Sequence, residues 1–159
     1  MSTQEKKTWF AASMRNGQGK KTARLLSEMG IVFYIPTSYN TLLFLNTAKS
    51  NALSLVNSGT IKARFFIDHG TRTLLEVPDK QMEDFIRVTQ SPFGAECIPL
   101  AGLAKGDKVI VAEGPLMGVE GEIVEFDEGA PYLVVRVLSL MCARVKVPLE
   151  SVRPASFSK

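Results

Sequence analysis

Few side chains in this 159-residue chain could carry acid, base or nucleophilic chemistry. His69 is the only histidine, so a Ser-His-Asp triad or a histidine metal site would have to be built around one residue. The tripeptide Asp68-His69-Gly70 has the composition of a turn. The phosphate-binding pattern G-x-x-x-x-G-K-S/T does not occur in the sequence. The sequence therefore predicts a protein that is not an enzyme, with no catalytic residues, no metal and no cofactor.

The two cysteines, Cys97 and Cys142, lack the C-x-x-C spacing of zinc sites and disulfide frameworks. We expect both thiols to be reduced. No apolar run approaches the roughly 18 residues that span a bilayer, and the polar start of the chain precedes no signal-peptide core. We therefore expect a cytoplasmic protein that does not bind membranes.

Charge is distributed unevenly along the chain, whose formal net charge is +3. Residues 1–90 hold 12 Lys and Arg against 7 Asp and Glu, a net charge of +5. Residues 91–159 hold 7 against 9, a net charge of −2. Opposite signs in the two halves suggest two modules that meet different partners.

A basic run without an acidic residue begins at Lys6 and ends before Glu28. Such a run is typical of a solvated helix face, and it also suits electrostatic contact with the phosphates of a nucleic acid. The residues alone leave both interpretations open. The candidate nucleic-acid-binding residues are Arg15, Lys20, Lys21 and Arg24.

Strands alternate with helices over the first 90 residues. One predicted helix ends at Met29, carries apolar residues at helical spacing, and is followed by Gly30 in a position that favours a left-handed backbone. We predict strands over 8–14, 31–35, 42–45 and 63–67, and two further helices over 50–58 and after Pro78. This pattern predicts an α/β sandwich domain over residues 1–90.

The remainder of the chain has a different sequence pattern. From residue 91 to residue 104 the hydrophobic period is lost, and prolines and glycines predict a linker. Over residues 105–159, valines alternate with polar residues in short segments that are separated by glycines. Four or five short strands in so few residues predict a small all-β barrel.

The segment from Lys105 to Glu125 resembles the KOW motif, which ribosomal proteins also contain. A Gly-Asp pair and alternating valines precede a Gly-Pro turn, and glycines three residues apart lead into a second strand. Glycine allows the sharp reversal of the chain and a close approach of two backbones. The matching residues are Gly106, Asp107, Val109, Gly114, Pro115, Gly118 and Gly121.

The order of the two modules resembles the NusG family of transcription elongation factors over nearly the whole chain. The resemblance rests on Trp9-Phe10, the basic helix, Ile35-Pro36, the Leu42–Leu45 strand and the KOW segment. Residues 68–88 look like the UpxY subgroup, specialised paralogues that antiterminate capsular polysaccharide operons. The resemblance implies an α+β N-terminal domain of the NusG type, an antiparallel sheet with flanking helices, followed by a KOW barrel. It also implies processive antitermination of specific operons by a monomer.

The same resemblance implies that RNA polymerase is a partner, through the clamp region of its largest subunit. Strand alternation puts Leu42 and Phe44 on one face of their strand. Phe44 is the preferred anchor, and we expect its truncation to leave the free protein folded. Core packing is the alternative for each apolar candidate. The candidate polymerase-binding residues are Trp9, Phe33, Leu42 and Phe44.

The resemblance further implies that the basic helix faces the DNA of the transcription bubble, with nascent RNA as another candidate. The KOW half is acidic at Glu120, Glu122, Glu125, Asp127 and Glu128, which disfavours an RNA backbone and favours a protein partner. Related KOW domains meet a ribosomal protein or a termination factor. The alternative function is that of a ribosome-associated RNA-binding KOW protein.

Overall fold

The computed structural model describes residues 6–37, 39–100, 103–126 and 129–155. The chain forms two compact units, unit 1 (Met1–Asp79) and unit 2 (Lys80–Lys159). The boundary therefore lies between residues 79 and 80 rather than after residue 90, and it assigns most of the third helix to unit 2. Among the described helices, none combines the length and the apolar composition that a membrane crossing requires.

The described part of unit 1 contains two helices and seven strands, and the strand pairings seen there are antiparallel. The main sheet has the order β2-β3-β1-β4, and β7 also pairs with β1. Strands β5 and β6 form a separate hairpin. The elements are β1 (Lys7–Met14), α1 (Gly19–Glu28), β2 (Val32–Tyr34), β3 (Leu42–Ala48), α2 (Lys49–Asn57), β4 (Ala63–Phe65), β5 (Ile67–Asp68), β6 (Thr73–Leu74) and β7 (Glu76–Val77). The predicted antiparallel sheet with flanking helices is confirmed for this unit.

The helix α1 ends as its sequence predicts. Gly30 has a φ of +72°, the left-handed conformation that glycine adopts without steric cost. The next residue, Ile31, donates its N–H to the Leu26 carbonyl at 3.0 Å. Leu26 itself is fully buried. The chain therefore turns directly from α1 into β2.

The two faces of the unit 1 sheet have different surroundings. On one face, Leu43 and Leu45 of β3 pack in a cluster with Leu26 of α1 and Leu55 of α2. Directly paired residues of antiparallel strands share a face, and alternate residues point to opposite faces. The pairs Trp9↔Asn46, Ala11↔Phe44 and Ser13↔Leu42 therefore lie on the other face, away from α1 and α2.

Unit 2 is built on a six-stranded antiparallel sheet with the order β13-β9-β10-β11-β12-β8. Among the described pairings, β13 and β8 are its two edges and are not paired with each other, so the predicted barrel is seen as a sheet with two ends. The helix α3 (Asp79–Thr89) precedes it. The strands are β8 (Glu96–Ile98), β9 (Asp107–Val111), β10 (Glu120–Glu125), β11 (Pro131–Val137), β12 (Met141–Val145) and β13 (Val152–Pro154).

The segment expected to be a linker contributes to this sheet. Its residues 96–98 form β8, which pairs with β12 through Cys97↔Ala143 and Ile98↔Cys142. Leu100 and Leu103 then pack against a buried cluster that contains Val134 and Cys142. Residues 101 and 102 lie outside the described residues. The composition of this segment did not predict these contacts. Prolines and glycines flank the three-residue strand β8, and its partner β12 lies more than forty residues further along the chain.

Candidate partner-binding and nucleic-acid-binding surfaces

The helix α1 presents an exposed cationic surface. Its buried residues are Thr22 and Leu26, which fix the inward side of the helix. Lys20, Lys21 and Arg24, all predicted to contact nucleic acid, are exposed. The first turn, residues 19–22, contains no acidic side chain to neutralise them. The surface is suited to attracting phosphate groups, because lysine and arginine supply that attraction.

A basic cleft of about 540 Å³ lies where β1 leads into α1. Arg15 lines it together with Gln18, the N-cap residue of α1. Arg64 of β4 and Lys62, which directly precedes β4, also line the cleft, because Arg64 pairs with Ser13 at the end of β1. No acidic residue is among the described residues that line the cleft. Three exposed cations therefore meet at one end of the helix that carries the predicted basic face.

Sequence reasoning missed Lys62 and Arg64. They stand more than 35 positions beyond the basic run, and only the β1–β4 pairing brings them beside Arg15. The alternation of Lys62 and Arg64 around Ala63 is the signal that could have identified them, since alternate residues of a strand share a face.

The structure groups three of the four candidate polymerase-binding residues. Trp9, Leu42 and Phe44 share the sheet face opposite α1 and α2. Phe33 lies on the other face, where it packs against the cluster that contains Leu43 and Leu45. Phe33 is therefore not beside the other three, because β2 pairs Phe33 with Leu45 and not with Phe44.

The three grouped side chains are buried. Trp9 is 8%, Leu42 5% and Phe44 0% exposed in the chain. Truncation of Phe44 is thus expected to cost stability, contrary to the sequence-based expectation for an exposed anchor. The same face holds Asn46, whose buried Oδ1 atom has no hydrogen-bond partner among the described residues. An unsatisfied polar atom is unusual in a permanent protein core.

The glycines of the KOW segment occupy positions that larger residues could not share. A Cβ atom on Gly121 would lie 2.5 Å from the carbonyl oxygen of Val134 on the neighbouring strand. A Cβ atom on Gly106 would collide with the carbonyl of Ile123. Gly114 and Gly118 have φ values of +90° and +92°. These four glycines are therefore required by the backbone conformation. The other matching residues, Asp107, Val109 and Pro115, lie in β9 or in the connection from β9 to β10.

Glu122 and Arg136 form an ion pair that anchors the start of β9. The guanidinium donates from Nε to the carboxylate at 2.6 Å, and from its terminal nitrogen to the Ala104 carbonyl at 3.1 Å. The same carboxylate accepts the Gly106 N–H at 2.9 Å. Burial alone would raise the pKa of Glu122, but the hydrogen bonds from Arg136 and Gly106 outweigh it and hold the pKa below its usual value. This acidic residue is therefore structural and is not free to meet a partner.

The polar side of α3 is joined to the sheet of unit 2 by hydrogen bonds to main-chain atoms. Lys80 donates to the Gly118 carbonyl at 2.8 Å and also pairs with Asp84 at 2.9 Å. Asp84 is 2% exposed and accepts the Glu120 N–H at 3.1 Å. Two further bonds join the Gln81 side chain to the Leu138 N–H and the Arg87 side chain to the Pro115 carbonyl. These contacts explain why α3 belongs to unit 2.

A cationic and aromatic cluster lies on the same sheet. The Arg144 guanidinium is 4.7 Å from the ring centroid of Phe126 and 4.5 Å from that of Tyr132. Lys146 is 5.4 Å from the Tyr132 ring. Arg144 also forms an ion pair with Glu96 of β8 at 2.8 Å. The positive charge of Arg144 therefore interacts mainly with other groups of unit 2.

The described residues contain no group of three or more His, Cys, Asp or Glu side chains arranged to hold a metal ion. Neither Cys97 nor Cys142 forms a disulfide. Burial raises the pKa of Cys142 to about 11, so the thiolate is scarce at neutral pH.

No protein-family model matches the sequence, and no curated protein matches it significantly. Among solved structures, one described as domain interaction in Thermotoga maritima NusG is similar with a TM-score of 0.53. It is 16% identical, and the alignment covers 94% of this chain and 98% of that chain. An MjSpt4:Spt5 complex is similar with a TM-score of 0.37 and 16% identity over 95% of this chain and 99% of that chain. The likeness to NusG shows that this chain has the NusG fold.

Proposed function

We propose that this protein is a transcription elongation factor that binds RNA polymerase and acts as a processive antiterminator of specific operons, in the manner of the UpxY paralogues. The observation that carries the proposal is the cationic surface of unit 1. It places Arg15, Lys62 and Arg64 in one cleft at the end of the helix that exposes Lys20, Lys21 and Arg24. A surface of this kind attracts nucleic-acid phosphates without reading a base sequence.

The polymerase contact is proposed for the sheet face that carries Trp9, Leu42 and Phe44. This face is apolar, and α1 and α2 occupy the opposite one. Its three side chains are buried in the chain, so binding there requires that they first become accessible. The unpaired Asn46 Oδ1 supports the proposal, because a partner that supplies a donor would remove the cost of leaving that atom unsatisfied. The clamp region of the largest polymerase subunit is the proposed partner.

The mechanism is positional. A protein that holds the polymerase clamp and the upstream DNA together favours the closed, processive state, and no covalent bond is made or broken. Unit 2 would then bind a protein partner. Glu122 is committed to Arg136, but Glu120 and Glu125 remain exposed on β10 and disfavour a phosphate backbone there.

Transcription in vitro on a template with a pause site and a terminator tests this function. Addition of the protein should increase the fraction of full-length RNA. A triple variant, Lys20→Glu, Lys21→Glu and Arg24→Glu, should lose the effect and bind bubble-containing complexes more weakly at low salt. The matched control reverses the same number of charges in unit 2, at Lys105, Lys108 and Arg153. Equal loss in both variants, or no loss in either, would contradict a specific role for α1.

RNA binding by unit 2 is the second candidate function, and the cluster of Arg144, Lys146, Phe126 and Tyr132 favours it. Aromatic rings beside cations can stack on bases of single-stranded RNA. The Lys146→Glu variant should then weaken salt-dependent binding to generic RNA, whereas the proposed function predicts little RNA binding at this surface.

A further inference from the structure

Unit 2 contains an apolar cleft of about 340 Å³ at one end of its sheet. One wall is the start of the β9–β10 connection, with Val111, Pro115 and Leu116. The opposite wall is the chain after β12, with Val147 and Pro148. Phe93, from the segment between α3 and β8, also lines the cleft. Its volume is near the lower end of the range for small-ligand pockets, about 300–1,000 Å³, and suits one or two apolar side chains.

Main-chain hydrogen bonds hold both walls in place. Within the β9–β10 connection, the Gly118 N–H donates to the Val111 carbonyl at 2.8 Å, and the Val111 N–H donates to the Val119 carbonyl at 2.9 Å. The Ala112 N–H donates to the Ser151 carbonyl at 2.7 Å and so joins the two walls. A cleft whose walls are already ordered binds a ligand without a further entropic cost for ordering itself.

Exposed apolar side chains are concentrated around the cleft. Phe93 is 38% exposed, Leu149 is 49% exposed and Met117 is 59% exposed. Leu149 stands between two residues that line the cleft, and Met117 follows the lining residue Leu116. Among the described residues of unit 2, every exposed large apolar side chain lines the cleft or neighbours a lining residue in sequence. Clustered apolar exposure marks interaction sites more often than scattered single residues do.

The charged groups of the cleft are acidic. Glu113 and Glu150 are the charged residues among those that line it, and both are exposed. Neither forms an ion pair with another described residue. The nearby guanidinium groups of Arg87 and Arg153 donate to the main-chain carbonyls of Pro115 and Glu150 instead. The cleft therefore has apolar walls and two lining carboxylates, while the two arginines, which do not line it, keep their positive charge close to Pro115 and Glu150.

We propose that this cleft binds a short segment of a partner protein that inserts an aliphatic side chain and places a lysine or arginine beside Glu113 and Glu150. The two carboxylates repel an acidic segment and repel phosphates, so they select for basic peptides over acidic ones and over nucleic acid. The apolar walls select for an aliphatic side chain over a polar one. The inference rests on the proposed protein-partner role of unit 2 and identifies the chemistry of that partner.

Three acetylated hexapeptides titrated into the ¹⁵N-labelled full chain test the proposal. The first carries a leucine flanked by two lysines, the second replaces both lysines with glutamate, and the third replaces the leucine with serine. The first peptide should shift the amide signals of Val111, Leu116 and Ser151 in a saturable manner. The other two should bind at least about fivefold more weakly, as expected when exposed charge contacts or apolar burial are lost.

Variants of the exposed carboxylates provide the control. A Glu113→Gln, Glu150→Gln double variant should bring the lysine and glutamate peptides to within about twofold of each other, because the charge preference is removed. The matched variant Glu125→Gln, on β10 and outside the cleft, should keep the preference. These substitutions lie at exposed positions, so the fold should be preserved.

Several results would overturn the proposal: no saturable shift with the lysine peptide, equal binding of the glutamate peptide, or shifts confined to other surfaces. Binding of the lysine peptide only to a chain shortened after Ala155 would assign the cleft to the protein's own C-terminal residues instead. Because the titration needs neither polymerase nor template, its failure is distinguishable from failure of the transcription assay.

Discussion

The carboxylate of Asp84 accepts a hydrogen bond from the backbone N–H of Glu120 at 3.1 Å. Asp84 lies in the middle of α3 and Glu120 begins β10, so the bond joins the helix to the KOW segment. The second oxygen of the carboxylate receives Lys80 at 2.9 Å. A buried carboxylate is tolerated in a folded protein when charge and hydrogen bonds satisfy it in this way.

Replacement of Asp84 by alanine should lower the free energy of unfolding by about 1–3 kcal/mol, because the Glu120 N–H loses its acceptor. Urea denaturation followed by circular dichroism measures the effect. Glu83→Ala is the matched control, since Glu83 is exposed on the same helix and should change stability by about 0.5 kcal/mol or less. Similar stabilities of the two variants would show that the Asp84 bonds contribute little.

The Glu122–Arg136 ion pair should make stability depend on acid pH. The pKa of Glu122 is lowered in the folded chain, so its contribution is fully present above the unfolded pKa of about 4.3 and is lost as pH falls through the folded pKa. Glu122→Gln should therefore reduce the loss of stability between neutral pH and about pH 3. Thermal melts across this range measure it.

The control for that prediction is Glu125→Gln, because Glu125 is exposed on the same strand. It should leave the acid dependence close to that of the unchanged protein. An acid dependence of Glu122→Gln that matches this control would mean that other carboxylates dominate the pH response.

Limited proteolysis should distinguish the exposed start of the segment between α3 and β9 from the later part, which packs against the sheet. The sequence alone predicts cleavage anywhere in 91–104, with release of two folded fragments. Chymotrypsin should cut first after Phe93, which is 38% exposed, because Leu100 and Leu103 pack against the sheet beyond the paired strand β8. Mass spectrometry of the early fragments identifies the site. A first cut after Leu100 or Leu103 would contradict the packing of this segment.

Phe44→Ala should destabilise the protein by about 3–5 kcal/mol, because the ring is fully buried and its removal leaves a cavity. Thermal unfolding measures this, and Val32→Ala, at a position 58% exposed on the edge strand β2, should have little effect. The more conservative Phe44→Leu should remain folded and is therefore the variant with which to measure co-purification with core polymerase. Unchanged co-purification would remove Phe44 from the proposed contact.

Local sequence patterns predicted the three helices and the strands β1 to β4, but not β6, β7 or β8. The helix that ends before Gly30 follows from an apolar face and a left-handed glycine, both of which are local properties. The β9–β10 unit follows from its glycines, since Gly121 permits a backbone approach that any side chain would block. The sequence also placed Leu42 and Phe44 on one sheet face, as the strand register has them.

The sequence alone did not predict the contacts between segments that are far apart in the chain. Strand β8 pairs with the distant strand β12, and the cleft of Arg15 includes Lys62 and Arg64 from the region of β4. Side chains of α3 also form hydrogen bonds with main-chain atoms of Gly118 and Glu120 in unit 2. No amphipathic pattern encodes such bonds, because main-chain acceptors and donors are present at every residue.

Leu100 and Leu103 pack against the buried cluster that contains Cys142, so the reactivity of this thiol can be used to measure local opening of the sheet. Cys142 is fully buried and its thiol is mostly protonated, so an alkylating reagent reacts with it only while a local opening exposes it. In a Cys97→Ser background, the alkylation rate would therefore report how often such an opening occurs, separately from unfolding of the whole chain.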